Sequence, residues 1–334
     1  NSGKLVDHGQ EGDEVELLLT QSPFYGESGG QLGDRGTIGN TDVTIEVLDT
    51  KKHEGLLVHK VRFLSGVVES GQVVNAKVNK QRRQATVLHH SSAHLFHAAV
   101  RELLGKQVTQ AGSQVGPESM RFDFTFERQP TADELAAVED LMNEWVRLNL
   151  PVVTRQMSIN EAKATGAIAM FGEKYGDTVR VLSIGDVSLE FCGGTHVHST
   201  GEIGNIKIVS EGSIASGVRR VEALAGIKAW KHISDYMNIV NAVSGKLKVK
   251  PVDLVAQIER LQEQLKAKDK ATQLLEDKLA LVQAPALIAG AESVNGLRLI
   301  LATVQDLSAE ALKGLVDHIR KQGEDLVVVL GTVQ

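Results

Sequence analysis

Apolar and polar positions alternate along short stretches of the first 80 residues, a pattern typical of β-strands with one buried face. Two of these stretches have their apolar positions at Val15, Leu17, Leu19, Val43, Ile45 and Val47. Glycine-rich segments at residues 26–36 and 66–71 separate the runs and indicate turns. Short strands between regular turn signals predict a small β-barrel or a strongly bent sheet over residues 1–80.

Residues 81–226 mix helical and strand patterns and predict an α+β domain. A helix is expected from about Gln81 to Leu104, because Gly105 follows and one face carries Leu88, Leu95, Ala99 and Leu103. Strand-like runs follow at 178–184, 188–191 and 206–210.

Two further helices of this region are indicated by capping boxes, in which a hydroxyl residue precedes a glutamate by three positions. Thr131 with Glu134 begins a helix that runs to about Leu148. Ser158 with Glu161 begins a short third helix.

Residues 227–285 read as a helical linker, in which apolar positions are spaced alternately by four and three residues. Lys268 and Thr272 occupy the middle steps of a heptad seam formed by Leu254, Ile258, Leu261, Leu265, Leu275, Leu279 and Val282. The seam fits either an antiparallel helical hairpin within the chain or a homodimer contact. The polar middle steps favour the hairpin.

Residues 286–334 alternate strand, helix and strand, with the helix expected at 309–322. This pattern predicts the beginning of an α/β domain whose remainder is missing from the chain. The N-terminus lacks a starting Met, and we expect the chain to be part of a longer protein.

Composition excludes several classes of protein. The 334 residues are 42% hydrophobic and 23% charged, as in globular proteins, and no apolar run is long enough to span a membrane. A single cysteine excludes an intrachain disulfide and suits the cytoplasm. The net charge of −6 argues against a general nucleic-acid coat but allows one structured RNA to bind at a local basic patch.

A metal site is indicated by four residues in two distant segments. His90 and His94 are one helical turn apart, so their imidazoles share a face. Cys192 and His196 flank two glycines that permit a tight backbone path. Three imidazoles and a thiolate suit Zn²⁺ better than Mg²⁺ or Ca²⁺.

Other interpretations of these residues stay open. Cys192 alone would also fit a buried, inert thiol. His97 lies near the same helix face and is expected to pack or to support a ligand, while His89 and His198 have no clear role. Four protein ligands would make a closed site of structural type, so water or substrate would need an expanded coordination shell.

The segments His-Ser-Ser-Ala-His-Leu-Phe-His (90–97) and Cys-Gly-Gly-Thr-His-Val (192–197) resemble the editing domain of the alanyl-tRNA synthetase family. The resemblance extends, in order, to segments 22–34, 110–113, 121–124, 171–176 and 217–222. Residues 227–334 resemble more loosely the family's helical linker and the beginning of its C-terminal domain.

This resemblance implies a zinc-dependent hydrolase that removes serine or glycine from mischarged tRNA(Ala) by binding its acceptor end. In the family, the part that attaches alanine with ATP would precede residue 1. The zinc would either hold the tRNA end or polarise the attacking water. By motif position, the resemblance assigns contacts with the serine hydroxyl to Gln110, Ser113 and Thr195.

Acidic candidates for proton transfer are Glu27 and Asp123, although a solvated or structural role fits each equally well. Ala93 departs from the threonine usual in the family and so lacks a hydroxyl that would help to sense the substrate. The cationic candidates for tRNA phosphates are Lys80, Arg82, Arg83, Arg219 and Arg220, the last two lying inside a family motif. The first three fit a solvated surface equally well.

Two other functions remain open. A free-standing trans-editing deacylase of the same superfamily would carry the same zinc motifs. A non-enzymatic module would use zinc for stability alone and the helical seam for dimerisation or tRNA docking. The threonyl-tRNA synthetase editing domain shares the zinc pattern but should lack the 22–34 segment.

Overall fold

The computed structural model describes residues 5–169 and 176–333, so residues 171–175 of the predicted motif 171–176 lie outside it. The chain divides into two compact units, Asn1–Tyr236 and Met237–Gln334. The finer division at residues 80, 226 and 285 stays a prediction. Among the described residues, no helix has the length and apolar character needed to cross a membrane.

Within its described residues, the predicted β-rich region contains seven strands. They are β1 (His8–Gln10), β2 (Glu14–Leu18), β3 (Gly36–Gly39), β4 (Thr44–His53), β5 (Leu56–Ser65), β6 (Val67–Glu69) and β7 (Asn75–Val78). An antiparallel sheet has the order β2-β5-β4-β3-β7, and β1 pairs with β6. Val68 of β6 shares one buried cluster with residues of the larger sheet, including Ile38, Ile45 and Val47. The β-rich prediction is confirmed, and closure into a barrel stays a prediction.

The predicted first helix is α1 (Lys80–Leu103), which begins one residue earlier than expected. Its N-cap is Asn79, whose side chain accepts a hydrogen bond from the Arg82 backbone N–H. Helix α1 packs against a second helix and a second sheet. Consequently, its middle is buried almost all round, from Thr86 to Val100.

The remaining elements of this unit confirm the α+β prediction. They are β8 (Gln110–Val115), β9 (Met120–Thr125), α2 (Ala132–Arg147), β10 (Val152–Ser158), α3 (Ile159–Ala164), β11 (Thr178–Ile184), β12 (Ser188–Phe191), β13 (Ile206–Ala215) and β14 (Val218–Ala225). Two antiparallel sheets form, in the orders β13-β14-β9-β8 and β10-β11-β12. Both predicted capping boxes are present at the beginnings of α2 and α3.

The linker and the last segment contain α4 (Ile227–Leu247), α5 (Leu254–Ala289), β15 (Glu292–Val294), β16 (Leu297–Gln305), α6 (Ala309–Arg320) and β17 (Leu326–Val333). Strands β16 and β17 are parallel and joined through α6, as an α/β pattern predicts. Helix α5 is unbroken over 36 residues. Its apolar seam residues from Ile258 to Val282 are 40–76% exposed, so no hairpin covers the seam within the described residues. The hairpin that Lys268 and Thr272 favoured is therefore wrong.

Candidate metal centre

The four predicted ligands meet at one point. His90 and His94 come from α1, and Cys192 and His196 from the turn that follows β12. One donor atom from each lies within 4.8 Å of all the others. Cys192 Sγ is 3.5 Å from His90 Nε2 and 3.2 Å from His196 Nε2. The fold thus brings together two pairs that are distant in the sequence.

Each histidine of the cluster is held through its Nδ1 atom. His90 Nδ1 contacts Gln31 Oε1 at 2.7 Å, and His94 Nδ1 contacts a glutamate oxygen at 2.9 Å. His196 Nδ1 lies 3.3 Å from Ser91 Oγ. His94 Nε2 is buried without a hydrogen-bond partner among the described residues. Histidines fixed through one ring nitrogen, with the other turned inward, are arranged as metal ligands usually are.

The glutamate beneath His94 is Glu190, which the sequence analysis missed. Glu190 is 4% exposed, and its carboxylate accepts hydrogen bonds from His94 Nδ1, from His97 Nδ1 at 3.3 Å and from Ser188 Oγ at 2.8 Å. His97 therefore supports the cluster from outside, as expected. Side chains two apart on a strand share a face, so the position of Glu190 two residues before Cys192 was an available signal.

The charges of the cluster favour a bound cation. Burial opposes ionisation of Cys192, but His90 and His94 hold the pKa of its thiol well below the usual range. The pKa of Glu190 is also lowered, since His94 outweighs its burial. Burial lowers the pKa of His196 to about 3.

Burial opposes protonation of His94 too, yet Glu190 and Cys192 together raise its pKa to about 10. Glu190 and Cys192 thus place two groups of lowered pKa beside His94, and a divalent cation bound there would balance their negative charge. The N₃S donor set and the orphaned His94 nitrogen fit Zn²⁺.

The turn between the two C-terminal ligands is fixed by close packing. A Cβ on Gly194 would lie 2.1 Å from His90 Cε1, so only glycine fits there, whereas a Cβ on Gly193 would meet open space. Neither glycine has a positive φ. Arg180 of β11 donates hydrogen bonds to the carbonyls of Cys192 and Gly194. Arg180 is a further supporting residue that sequence reasoning missed.

The residues predicted to contact the substrate hydroxyl adjoin the 22–34 segment. Gln31 makes hydrogen bonds with Thr195, and Gln110 Nε2 donates to Ser113 Oγ at 3.0 Å. A Cβ on Gly30 would lie 2.3 Å from Ser113 Oγ, so this loop packs directly against β8. Thr195 thus lies next to a predicted ligand, and Ser113 lies beside the loop that carries Gln31.

Other predicted residues are placed as follows. Asp123 is buried and forms a two-point ion pair with Arg220, with both contacts at 2.7 Å. Glu27 is exposed to solvent. Ala93 lies in the hydrophobic core. His89 is buried and bonds through Nδ1 to the Gly116 carbonyl oxygen at 2.8 Å.

The cationic side chains predicted to bind phosphates differ in whether an acidic side chain already pairs with them. Arg219 pairs with Glu211, Arg220 with Asp123 and Arg83 with buried Asp34. Within the described part of the chain, neither Lys80 nor Arg82 forms an ion pair. Both line a surface groove of about 750 Å³ that also includes Lys228. Lys80 and Arg82 are thus more available to an RNA than the paired arginines.

Comparison with known proteins gives the same family as the motifs. Residues 179–222 match the family described as "Threonyl and Alanyl tRNA synthetase second additional domain", and residues 1–82 match "tRNA synthetases class II (A)". The alanine–tRNA ligases of Acetivibrio thermocellus and Desulfitobacterium hafniense are each 43% identical over 330 residues, which cover 98% of this chain and 38% of each relative. That of Mesorhizobium japonicum is 44% identical over 345 residues, which cover 98% of this chain and 39% of the relative. The chain spans somewhat more than a third of these relatives' length. Over the residues it contains, the chain belongs to the alanyl-tRNA synthetase family.

Proposed function

We propose that this chain hydrolyses seryl- and glycyl-tRNA(Ala), using Zn²⁺ held by His90, His94, Cys192 and His196. The observation that carries the proposal is the convergence of these four donor atoms, with each histidine held through Nδ1. The alanine–tRNA ligase relatives indicate which amino acid and tRNA are concerned. In a full-length protein, a separate region would attach alanine to the same tRNA with ATP.

An enzyme that attaches alanine to tRNA needs a second, hydrolytic site, because the first site cannot discriminate well enough between alanine and glycine or serine. A pocket that accepts alanine also admits glycine, which is one methyl smaller. Discrimination by one such group amounts to about 1–3 kcal/mol, and rejection of the added serine hydroxyl is similarly weak. Hydrolysis after transfer removes the remaining errors.

The residues of the proposed site have different roles, according to their chemical groups. Zinc, when bound, would hold the tRNA end or polarise a water molecule. Thr195 and the Gln110–Ser113 pair supply hydroxyl and amide groups for a substrate hydroxyl. Lys80 and Arg82 supply positive charge for tRNA phosphates at the groove beside α1.

A deacylation assay tests the proposal. The zinc-loaded chain should release serine from tRNA(Ala) at least tenfold faster than alanine, because its site accommodates the extra hydroxyl. Cys192→Ala should lose bound zinc and this activity together. His198→Ala removes an exposed histidine two residues after the ligand His196. This control variant should retain both the bound zinc and the activity.

A specific observation favours a second function. All four donors come from the protein, as in structural zinc sites. A chain that holds one zinc and binds tRNA(Ala), yet hydrolyses neither ester, would defeat the hydrolase proposal. It would support a zinc-stabilised docking module instead.

A further inference from the structure

Gln31 is a fully buried amide in the 22–34 loop, at the junction of the loop with β8 and the metal-site turn. Backbone hydrogen bonds hold it on both sides. The Leu32 N–H donates to the Val115 carbonyl at 2.9 Å, and the Val115 N–H donates to the Gly30 carbonyl at 2.7 Å. The amide therefore occupies a position fixed by the fold.

The side-chain oxygen of Gln31 determines which nitrogen of His90 carries hydrogen. The Thr195 backbone N–H donates to Oε1 at 2.9 Å, which establishes the orientation of the amide. Because Oε1 can only accept, His90 Nδ1, at 2.7 Å, must be the donor. The neutral imidazole then presents the lone pair of Nε2 to the cluster, as a metal ligand requires.

The side-chain nitrogen of Gln31 acts on Thr195. Nε2 donates to Thr195 Oγ1 at 3.0 Å, while the two lone pairs of Oε1 are taken by His90 and the Thr195 N–H. The Thr195 hydroxyl also donates to Oε1, at the longer distance of 3.2 Å. Because Oε1 has only two lone pairs for three donors, this bond is the weakest of the network and the one that a substrate hydroxyl can replace.

We infer that Gln31 is a positioning residue that turns His90 Nε2 towards the metal and holds the Thr195 hydroxyl by a long bond that the substrate's hydroxyl can replace. The inference about Thr195 rests on the proposed hydrolysis of seryl-tRNA. The inference about His90 concerns metal binding alone. One amide from the 22–34 loop thereby links metal affinity to substrate selectivity.

Two substitutions separate these roles. Gln31→Met keeps approximate volume but removes both hydrogen-bonding groups. Zinc affinity, measured by competition with a chromophoric chelator, should fall about 10–100-fold, as on loss of other partners of metal-bound histidines. The visible spectrum of the Co²⁺-substituted protein should change as well. Gln114→Met, on the exposed side of β8, is the control and should leave both measurements unchanged.

Gln31→Glu keeps the acceptor for His90 but loses the donor to Thr195, whose hydroxyl must then donate to the new carboxylate. Zinc affinity should stay within about threefold of the original, while the preference for seryl- over alanyl-tRNA(Ala) falls about tenfold, the size expected for one buried hydrogen bond. Unchanged selectivity in this variant would overturn the role at Thr195.

Unchanged zinc affinity and Co²⁺ spectrum in Gln31→Met would overturn the role at His90. If Gln31→Met does not fold, Gln31→Glu tests both roles: its selectivity tests the role at Thr195, and a zinc affinity lowered by about 10–100-fold would overturn the role at His90. If the unsubstituted chain binds zinc but does not hydrolyse seryl-tRNA, the proposed function and the Thr195 role fail together, and the zinc measurements still test the His90 role.

Discussion

Gly193 and Gly194 are adjacent glycines with different surroundings, so an alanine substitution at one is a control for the same substitution at the other. A methyl group at residue 194 would collide with the His90 ring and with Gln31 Oε1, at 2.1 and 2.8 Å. Gly194→Ala should therefore displace His90 and lower zinc affinity at least tenfold, as measured by chelator competition. Gly193→Ala meets open space and should bind zinc like the unsubstituted chain. Equal affinities in the two variants would contradict the observed turn.

Glu190 offers a second test at the residue scale. Its carboxylate accepts from two histidines and a serine, and an amide would turn an N–H₂ group towards one of these donors. Glu190→Gln should weaken zinc binding about 10–100-fold through misorientation of His94. Ser188→Ala leaves both histidine contacts of Glu190 in place and should weaken zinc binding less than Glu190→Gln does. Metal content and chelator competition would measure zinc binding by the two variants. A larger loss in Ser188→Ala than in Glu190→Gln would contradict the supporting role assigned to Glu190.

At the scale of elements, the beginning of α1 is the best candidate for RNA contact. Lys80 and Arg82 line one groove there. The double variant Lys80→Ala/Arg82→Ala should weaken tRNA(Ala) binding and reduce the dependence of log K on log salt by about 1–2, because up to two phosphate contacts are lost. Filter binding across a salt series would measure this.

Arg220→Ala provides the contrast, because Arg220 already pairs with buried Asp123 across β14 and β9. Its loss should lower the free energy of unfolding, measured by denaturant titration, since the Asp123 carboxylate loses its partner. The salt dependence of tRNA binding should hardly change. If Arg220→Ala reduced the salt slope and the α1 variant did not, the motif arginines would be the phosphate contacts.

At the scale of the whole molecule, the exposed seam of α5 predicts a homodimer. Apolar side chains at heptad spacing remain 40–76% exposed along this helix, and burial against a second copy would remove them from water. Light scattering should show, at tens of micromolar chain, a species of twice the 36.0 kDa chain mass. Leu261→Lys with Leu265→Lys should return it to the monomer mass.

Gln262→Lys is the control for this experiment, since it places a lysine on the same helix but outside the seam. It should leave the dimer intact. A monomer at all concentrations would contradict dimerisation through α5 and leave the seam available to another partner.

The amino-acid sequence by itself determined the elements whose causes are local. Capping boxes act over three residues, so the beginnings of α2 and α3 could be predicted from Thr131 and Ser158. Periodicity located α1 and the strand–helix–strand order of the last segment. The ligand set could be proposed because His90 and His94 share a helix face and Cys192 and His196 share a turn.

Only the tertiary structure decided what surrounds those ligands. Gln31 reaches His90 across 59 residues and Thr195 across 164, while Glu190 reaches His94 across 96. No local rule specifies such contacts, because they depend on how separate sheets pack. Arg220 likewise pairs with Asp123 across 97 residues, whereas Arg219 pairs with Glu211 within the β13–β14 hairpin. Local interactions fix the elements and donor types, and long-range packing fixes their hydrogen-bond partners and charge.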